Sequence, residues 1–311
     1  MNFIFVIVGF LLLIFGGNWL LKSAVSLSLR LKIPKIVIGM TVVSFATSAP
    51  ELIVSVQSAI DGFPDLALSN VIGSNIANLG LVLGITLLIA KIDVKKSFYT
   101  IDWPMMSAAS LVLFFFVYDD LSITRGEGVI LFLLLIIFLV FLLKFQKQAV
   151  VDEMLEDDEI LPDYQTLLFF LIGAVSLWGG SEVLILGATK LALEFGVSER
   201  LIGITIISVG TSIPELAASV IAILKKEKAI SIGNLIGSNM FNIMAVLGIT
   251  AMVTPVSVMD SKLVSVDLYW MLGISFLILP LVFLPKKMRL DRKEGLILLA
   301  IYTIFIYQTI T

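Results

Sequence analysis

Long apolar stretches separated by short polar loops recur along the whole chain. Ten of them reach or approach the roughly 17 to 25 residues that a helix needs to cross a bilayer. They are predicted at residues 3–21, 36–60, 66–90, 103–118, 127–145, 165–188, 201–224, 229–252, 264–284 and 294–310. The first has no basic leader and no small-residue cleavage pattern, so we expect a retained helix rather than a signal peptide. The pattern predicts an all-α integral membrane protein with ten transmembrane helices.

Composition agrees with a membrane location. The chain is 59% hydrophobic and 14% charged, with a mean hydropathy of +1.08, whereas about a quarter of the residues of soluble domains are charged. It contains neither cysteine nor histidine, which excludes disulfides, thiolate chemistry and imidazole ligands or bases. A metal ion would have to be bound by oxygen, no cofactor is expected, and the charge pattern gives no nucleic-acid-binding surface.

Basic residues are concentrated in alternate loops of this span map. Seventeen of the 21 lysines and arginines lie on one side, and the other four are Arg125, Lys190, Arg200 and Lys262. The positive-inside rule places the richer side in the cytoplasm and both termini outside it. We therefore expect a multi-pass protein of the plasma membrane.

Two segments of the chain recur at a constant offset of 164 residues. IPKIVIGMTVVSFATSAPEL, at residues 33–52, aligns with VSERLIGITIISVGTSIPEL at 197–216, and ALSNVIGSNIANLGLVLGIT, from Ala67, aligns with SIGNLIGSNMFNIMAVLGIT, from Ser231. Five spans in each half is an odd number, so the second half must cross the membrane upside down. The sequence predicts two inverted five-helix repeats whose motifs face each other near the midplane.

The predicted halves have definite boundaries. The first repeat covers residues 1–146, with motifs at 39–55 and 70–86, and the second covers 165–311, with motifs at 203–219 and 234–250. Residues 147–164 form an acidic connector on the cytoplasmic side, where seven acids fall between Asp152 and Asp163. The connector lacks the alternating Asp/Asn and central glycine of an EF-hand loop. We interpret it as a solvated linker, with calcium sensing as the alternative.

Each repeat carries a glutamate inside a predicted span. Ionisable residues are expensive in a membrane and by default indicate function. A proline directly before each glutamate breaks the helix and is expected to release carbonyls near Ala46 and Gly210, so helices 2 and 7 should be broken. The hydroxyl and carboxyl residues that share one helical face in each half are Ser44, Thr47, Ser48 and Glu51, and Ser208, Thr211, Ser212 and Glu215.

The second motif of each half adds amides and hydroxyls at i, i+4 and i+8. These residues are Asn70, Ser74 and Asn78, and Asn234, Ser238 and Asn242. Any single serine or asparagine here could instead serve helix packing or cap a helix start. Taken together, the carboxylates, amides, hydroxyls and freed carbonyls form an all-oxygen set that suits hard cations such as Ca²⁺ and Na⁺.

The ATSAPE and GTSIPE segments, each followed by IGSN, resemble the α-repeats of the Ca²⁺/cation antiporter superfamily, and the chain is similar to prokaryotic members of its sodium/calcium exchanger family. The resemblance implies that Glu51 and Glu215 are central carboxylates and that Thr47 and Thr211 offer backbone carbonyls to Ca²⁺. It implies Na⁺ sites flanking them at Ser48, Ser74, Ser212, Ser238 and the backbone near Ser44 and Ser208, with Asn78 and Asn242 in the middle. Two departures are Ala46, where the motif has glycine, and Asn242, where some relatives have aspartate.

The resemblance implies antiport of Na⁺ and Ca²⁺ by alternating access, by a chain that works as a monomer in a lipid bilayer and is not an enzyme. With two carboxylates as the only charged ligands, Ca²⁺ extrusion is expected to be electrogenic if the family's three-to-one ratio holds. Spans 1 and 6 are expected to slide against the core, with Gly16, Gly17, Gly179 and Gly180 as contacts. A Ca²⁺/H⁺ exchanger on the same scaffold is the alternative, and a cation channel is a more remote one.

Overall fold

The computed structural model describes residues 2–145, 160–197, 208–284 and 288–310, and most of these residues are helical. The connector residues 147–159 and residues 203–207 of the first motif of the second repeat lie outside the described ranges. Eleven helices of ten or more residues occur in the described part of the chain. They are α1 Asn2–Leu31, α2 Lys35–Thr47, α3 Ala49–Ile60, α4 Pro64–Ile89, α5 Phe98–Tyr118, α6 Arg125–Phe145, α7 Asp163–Glu194, α8 Ile213–Leu224, α9 Lys228–Val253, α10 Leu263–Phe283 and α11 Arg292–Ile310.

Every predicted span coincides with at least one of these helices, so the all-α prediction is confirmed. Seven helices are long and apolar enough to cross a membrane, and α2 with α3 makes an eighth candidate if counted as one broken span. Helix α8 has 12 described residues, too few to cross a membrane. Helix α11 is not among the seven. The total of ten spans therefore remains a prediction.

Helix α1 continues ten residues beyond its predicted end, from Leu21 to Leu31. The apolar run stops at Lys22, but Ser23 and Ser26 after it are buried against α7. Ser23 donates a hydrogen bond to the carbonyl of Thr166, and the Ser26 hydroxyl lies 3.0 Å from the Thr166 hydroxyl. Because these polar groups have partners, the helix stays buried where the hydropathy of the sequence falls.

The repeat seen in the sequence recurs in the backbone. Helix α4 turns π-helical at Asn78–Val82 and α9 at Asn242–Leu247, while α5 and α10 begin with π-helical turns at Phe98–Asp102 and Leu263–Asp267. A further π-helical turn, Gly39–Val43, lies in α2. Such turns are often found at functional sites.

Four two-residue strands follow the same symmetry. They are β1 Ile92–Asp93, β2 Ser122–Ile123, β3 Val256–Ser257 and β4 Arg289–Leu290. Strand β1 pairs with β4 and β2 pairs with β3, both antiparallel. Paired strands must lie on one side of a membrane, so an even number of crossings has to separate them. The predicted span map satisfies this condition for both pairs.

The chain divides into two compact units, each containing parts of both repeats. The first comprises Met1–Thr47, Leu142–Asn234 and Ile310–Thr311, and the second comprises Ser48–Phe141 and Leu235–Thr309. These units differ from the two repeats, which the sequence predicts to be separated by residues 147–164. The predicted boundaries of the repeats stay a prediction.

In the first unit, α1 packs along α7 through glycines spaced seven residues apart. A Cβ atom at Gly16 would lie 2.8 Å from Ser176 Cβ, and one at Gly180 would lie 2.9 Å from Leu12 Cβ. Gly17 instead faces Ile221 of α8, while a Cβ at Gly179 would meet no atom of the described residues within 4 Å. A packing contact is therefore confirmed for Gly16, Gly17 and Gly180 but not for Gly179, and the sliding of spans 1 and 6 against the core stays a prediction.

In the second unit, α4 and α9 are the most buried of the long apolar helices. In an apolar stretch of 18 residues, 72% of the residues are buried in α4 and 78% in α9. Each meets an outer helix at a pair of glycines. Gly84 of α4 contacts Gly295 of α11, and Gly248 of α9 contacts Gly128 of α6. Since α11 and α6 are repeat equivalents, the two contacts are the same contact made twice.

Candidate functional site

Both motif helices are interrupted at the serine two residues before the proline. Ser48 (φ −87°, ψ 3°) and Ser212 (φ −85°, ψ 1°) are the N-cap residues of α3 and α8, with Pro50 and Pro214 in the first turn. A proline is tolerated there because the first amides of a helix have no intrahelical acceptor. The prediction that helices 2 and 7 are broken is confirmed.

The two glutamates occupy the third position of the new helices. Glu51 and Glu215 are both 0% exposed. The positive end of the helix dipole favours a carboxylate in the first turn. The Ser-x-Pro-Glu sequence also has the form of a capping box, but neither Ser48 nor Ser212 makes a side-chain capping bond. Side-chain capping therefore does not explain why serine is found at these two positions.

In the first unit, hydroxyl groups of α2 converge on Asn234. The Thr47 hydroxyl donates to Asn234 Oδ1 at 3.1 Å, and Ser44 Oγ lies 2.9 Å from the Asn234 carbonyl oxygen. Asn234 Nδ2 in turn donates to Ser219 Oγ of α8 at 3.0 Å. Asn234 thus joins α2 to the helix that carries Glu215.

The remaining candidates of the first unit lie just before α8. Ser212 is buried, and its Oγ has no hydrogen-bond partner among the described residues. Thr211 is half-buried, and the Ser208 side chain lies outside the described atoms. The carbonyl of Gly210, expected to be free for an ion, accepts a 2.8 Å hydrogen bond from Ser181 of α7. The proline removes the helical donor of this carbonyl and tertiary packing supplies a different one, so its role as an ion ligand stays a prediction.

In the second unit, α3 packs against α4 and against the π-helical turn of α9. Asn70 Nδ2 donates to Ser55 Oγ at 3.0 Å and lies 3.4 Å from the carbonyl oxygen of Glu51. This bond is the repeat equivalent of the Asn234 to Ser219 bond. The alternative that Asn70 and Asn234 cap helix starts is wrong, since α4 and α9 begin six residues before them.

The other candidates of this unit are all buried. Ser74 is 2% exposed, and Ser238, Asn78 and Asn242 are 0% exposed. Asn78 and Asn242 are the first residues of the two π-helical turns. Their amide nitrogens donate to Asn239 Oδ1 at 3.0 Å and Asn75 Oδ1 at 3.2 Å, respectively. The structure therefore brings the two central amides into one hydrogen-bonded network.

Five buried residues of these networks were not singled out from the sequence, namely Ser55, Ser219, Asn75, Asn239 and Ser181. The first four could have been found, because each occurs with its identical partner at the 164-residue offset. Ser181 could not, because its role depends on how α7 packs.

The candidate residues offer neutral hydroxyl and amide oxygens together with two carboxylates. No group of three or more His, Cys, Asp or Glu side chains suited to a metal occurs in the described parts of the chain. Hydroxyl, amide and carboxylate oxygens suit Ca²⁺ and Na⁺ better than transition metals.

Comparisons with known proteins agree with this chemistry. The chain matches a family model described as sodium/calcium exchanger protein over residues 1–144 and 165–311. It is 39% identical over 303 residues to the putative antiporter CaxA of Alkalimonas amylolytica, covering 95% of this chain and 94% of that protein. It is 26% identical over 348 residues to the sodium/calcium exchanger MaX1 of Methanosarcina acetivorans, covering 98% and 97%.

A solved structure of a sodium-calcium exchanger also matches this chain over nearly its whole length. The sodium-calcium exchanger NCX_Mj, soaked with zero Na⁺ and Ca²⁺, superposes with a TM-score of 0.81 at 27% identity, covering 99% of this chain and 98% of that one. The match confirms the predicted fold class of inverted helical repeats.

Proposed function

The chain belongs to the sodium/calcium exchanger family, and from this premise we propose that it exchanges Na⁺ for Ca²⁺ by alternating access. It is a cation/Ca²⁺ antiporter of the membrane and not an enzyme.

One observation carries the proposal. Glu51 and Glu215 are completely buried at equivalent positions of two repeats, each in the first turn of a helix that restarts after a break. A buried carboxylate is costly unless other groups compensate for its lost hydration. The same buried carboxylate follows a helix break in both repeats, and a transported cation gives a reason for this arrangement to occur twice.

The proposed ligands follow the motifs residue by residue. Glu51 and Glu215 are the central carboxylates, which the Ca²⁺ site shares with the neighbouring Na⁺ sites, and Thr47 and Thr211 contribute backbone carbonyls. The remaining ligands are Ser44, Ser48, Ser74, Asn78, Ser208, Ser212, Ser238 and Asn242. Burial of Ser48, Ser74, Ser212, Ser238 and both asparagines supports this assignment, because buried polar groups need partners.

The charge of the ligand set bears on the membrane potential. Two carboxylates neutralise one Ca²⁺, whereas three Na⁺ on the same carboxylates would leave about one net positive charge. Exchange at three Na⁺ for one Ca²⁺ would then be electrogenic. Each charge moved contributes roughly 2.3 kcal/mol per 100 mV, so a cell with an inside-negative potential would use it to extrude Ca²⁺.

We further propose that the chain functions as a monomer in the plasma membrane, with both termini outside the cytoplasm and the acidic connector inside. The distribution of lysine and arginine among the predicted loops supports this orientation.

The test is ⁴⁵Ca²⁺ uptake into proteoliposomes loaded with Na⁺, with K⁺, or at acid internal pH. We expect uptake only into Na⁺-loaded vesicles, and faster uptake when valinomycin and K⁺ make the interior positive, because the Na⁺ that leaves carries net charge outward. Equal uptake driven by the proton gradient would move the assignment to Ca²⁺/H⁺ exchange. Non-saturable flux without any counter-ion would indicate a channel.

A further inference from the structure

We propose that Asn75 and Asn239 are positioning residues that orient the amides of Asn242 and Asn78 so that their oxygens, and not their nitrogens, face the transported cation. The inference rests on the proposed function, in which Asn78 and Asn242 bind the ion. It adds two residues that do not themselves contact the ion.

The four asparagines form a two-fold symmetric network in the second unit. Asn75 Nδ2 donates to the backbone oxygen of Asn239 and Asn239 Nδ2 donates to the backbone oxygen of Asn75, both at 3.2 Å. Asn242 Nδ2 donates to Asn75 Oδ1 at 3.2 Å, and Asn78 Nδ2 donates to Asn239 Oδ1 at 3.0 Å. All four side chains are at most 1% exposed.

The direction of every bond in this network follows from its two backbone carbonyls. A carbonyl oxygen can only accept, so the amide group of Asn75 must direct Nδ2 at Asn239 O. Asn75 Oδ1 then points at Asn242 and requires a donor, which only Asn242 Nδ2 can supply. The Asn242 oxygen is thereby turned away from the network, and the same reasoning through Asn239 turns the Asn78 oxygen away.

Flipping any one amide would break this order. A flipped Asn75 would place its oxygen against the Asn239 carbonyl and its nitrogen against the Asn242 nitrogen, which makes two repulsive contacts. Asn75 Nδ2 also lies 3.7 Å from the sulfur of Met271, a weak acceptor that favours the same orientation. The backbone carbonyls of Asn239 and Asn75 therefore set the orientation of the Asn242 and Asn78 amides, acting through the side chains of Asn75 and Asn239.

The outward oxygens are the ones left without protein partners. Asn78 Oδ1 and Asn242 Oδ1 are buried and have no hydrogen-bond donor among the described residues. A buried acceptor without a partner is costly, and a bound cation would remove that cost. A network that only stabilised the packing of α4 against α9 would not need two acceptors directed away from it.

The test compares Ca²⁺ affinity in single and paired variants of the purified full chain, by equilibrium ⁴⁵Ca²⁺ binding in detergent. In Asn75→Ala the Asn242 amide loses its acceptor and can rotate its nitrogen toward the ion. We expect the Kd for Ca²⁺ to rise by about tenfold. Asn239→Ala should do the same through Asn78, and Ser110→Ala, which removes a buried hydroxyl bonded within its own helix, should not.

The decisive variants carry a carboxylate at the ligand. In Asn242→Asp both terminal atoms are oxygen and neither can donate to Asn75 Oδ1, so Asn75 no longer orients a ligand oxygen, and adding Asn75→Ala should not raise the Kd. In Asn78→Asp, adding Asn75→Ala should keep its tenfold effect, because Asn75 orients only Asn242. The pairing reverses for Asn239→Ala, which Asn78→Asp should rescue and Asn242→Asp should not.

Rescue confined to the matched pairs would support the inference, because a loss of folding would affect all backgrounds alike. An equal effect of Asn75→Ala in both aspartate backgrounds, or no effect on Kd in the native one, would overturn it. Asn75→Ser replaces Asn75→Ala if the latter lowers the melting temperature. This test measures Ca²⁺ binding and not transport. A failure of Na⁺ coupling in the transport assay would contradict the proposed function but would not change the outcome of the binding test.

Discussion

A buried ion pair in the first unit gives the sharpest stability prediction. Lys35, at the start of α2, lies with its Nζ 2.7 Å from Glu227 Oε1, and the two side chains are 3% and 6% exposed. Glu227 is held by the turn after α8, where its amide donates to the Ala222 carbonyl and Lys226 has φ +66°. This turn therefore fixes the backbone that carries the Glu227 side chain.

Removing one partner of a buried ion pair costs about 3–5 kcal/mol, because the remaining charge loses its counter-charge. Lys35→Met and Glu227→Gln should each lower the unfolding midpoint by on the order of 10 °C. The double variant leaves no buried charge, so it should be less destabilised than the sum of the singles by at least about 1 kcal/mol.

Thermal unfolding in detergent micelles, followed by tryptophan fluorescence, measures these midpoints. Arg289→Met is the matched control, because Arg289 pairs with Asp291 at 2.9 Å but the two side chains are 27% and 33% exposed. A partly exposed pair contributes less than about 1 kcal/mol. If Lys35→Met melts within about 2 °C of the native protein, or if the single effects add, the reasoning is refuted.

Three further predictions use the same measurement. Gly39→Ala should lower the free energy of unfolding by about 1–3 kcal/mol, since its Cβ would lie 2.6 Å from a backbone oxygen of α9. Gly179→Ala should be neutral or stabilising, because no atom of the described residues lies within 4 Å of its Cβ. Equal unfolding midpoints for the two variants would contradict this packing. Lys226→Gly should stabilise by about 0.5–1 kcal/mol because glycine adopts φ +66° without steric cost, and a loss of stability would argue against that turn. Ser181→Ala should cost about 1 kcal/mol by removing the donor to the Gly210 carbonyl, and an unchanged midpoint would show that the bond is dispensable.

The sequence was sufficient for those features that depend on local composition. Apolar runs located the helices, and the proline before each glutamate located the breaks at Ser48 and Ser212, because proline acts on its own helix wherever that helix packs. The offset of 164 residues paired the two halves without any structural information.

Features that depend on tertiary contacts could not be predicted in this way. The end of α1 at Leu31 depends on partners that α7 supplies to Ser23 and Ser26. A hydropathy scale records these serines only as polar and therefore predicts an earlier end. The Gly210 carbonyl acquires a donor from Ser181, 29 residues earlier. The π-helical turns had no recognised pattern in the sequence, although two of them begin at Asn78 and Asn242.

The most direct measurement of the central claim is Na⁺-driven ⁴⁵Ca²⁺ uptake by Glu51→Gln and Glu215→Gln, beside Glu194→Gln. Glu51 and Glu215 are fully buried, whereas Glu194 is an exposed glutamate at the end of α7. The account predicts that each of the first two variants folds but loses Ca²⁺ uptake, and that Glu194→Gln transports like the native chain. Sustained Na⁺-dependent uptake by either buried variant would contradict a cation site built on both glutamates.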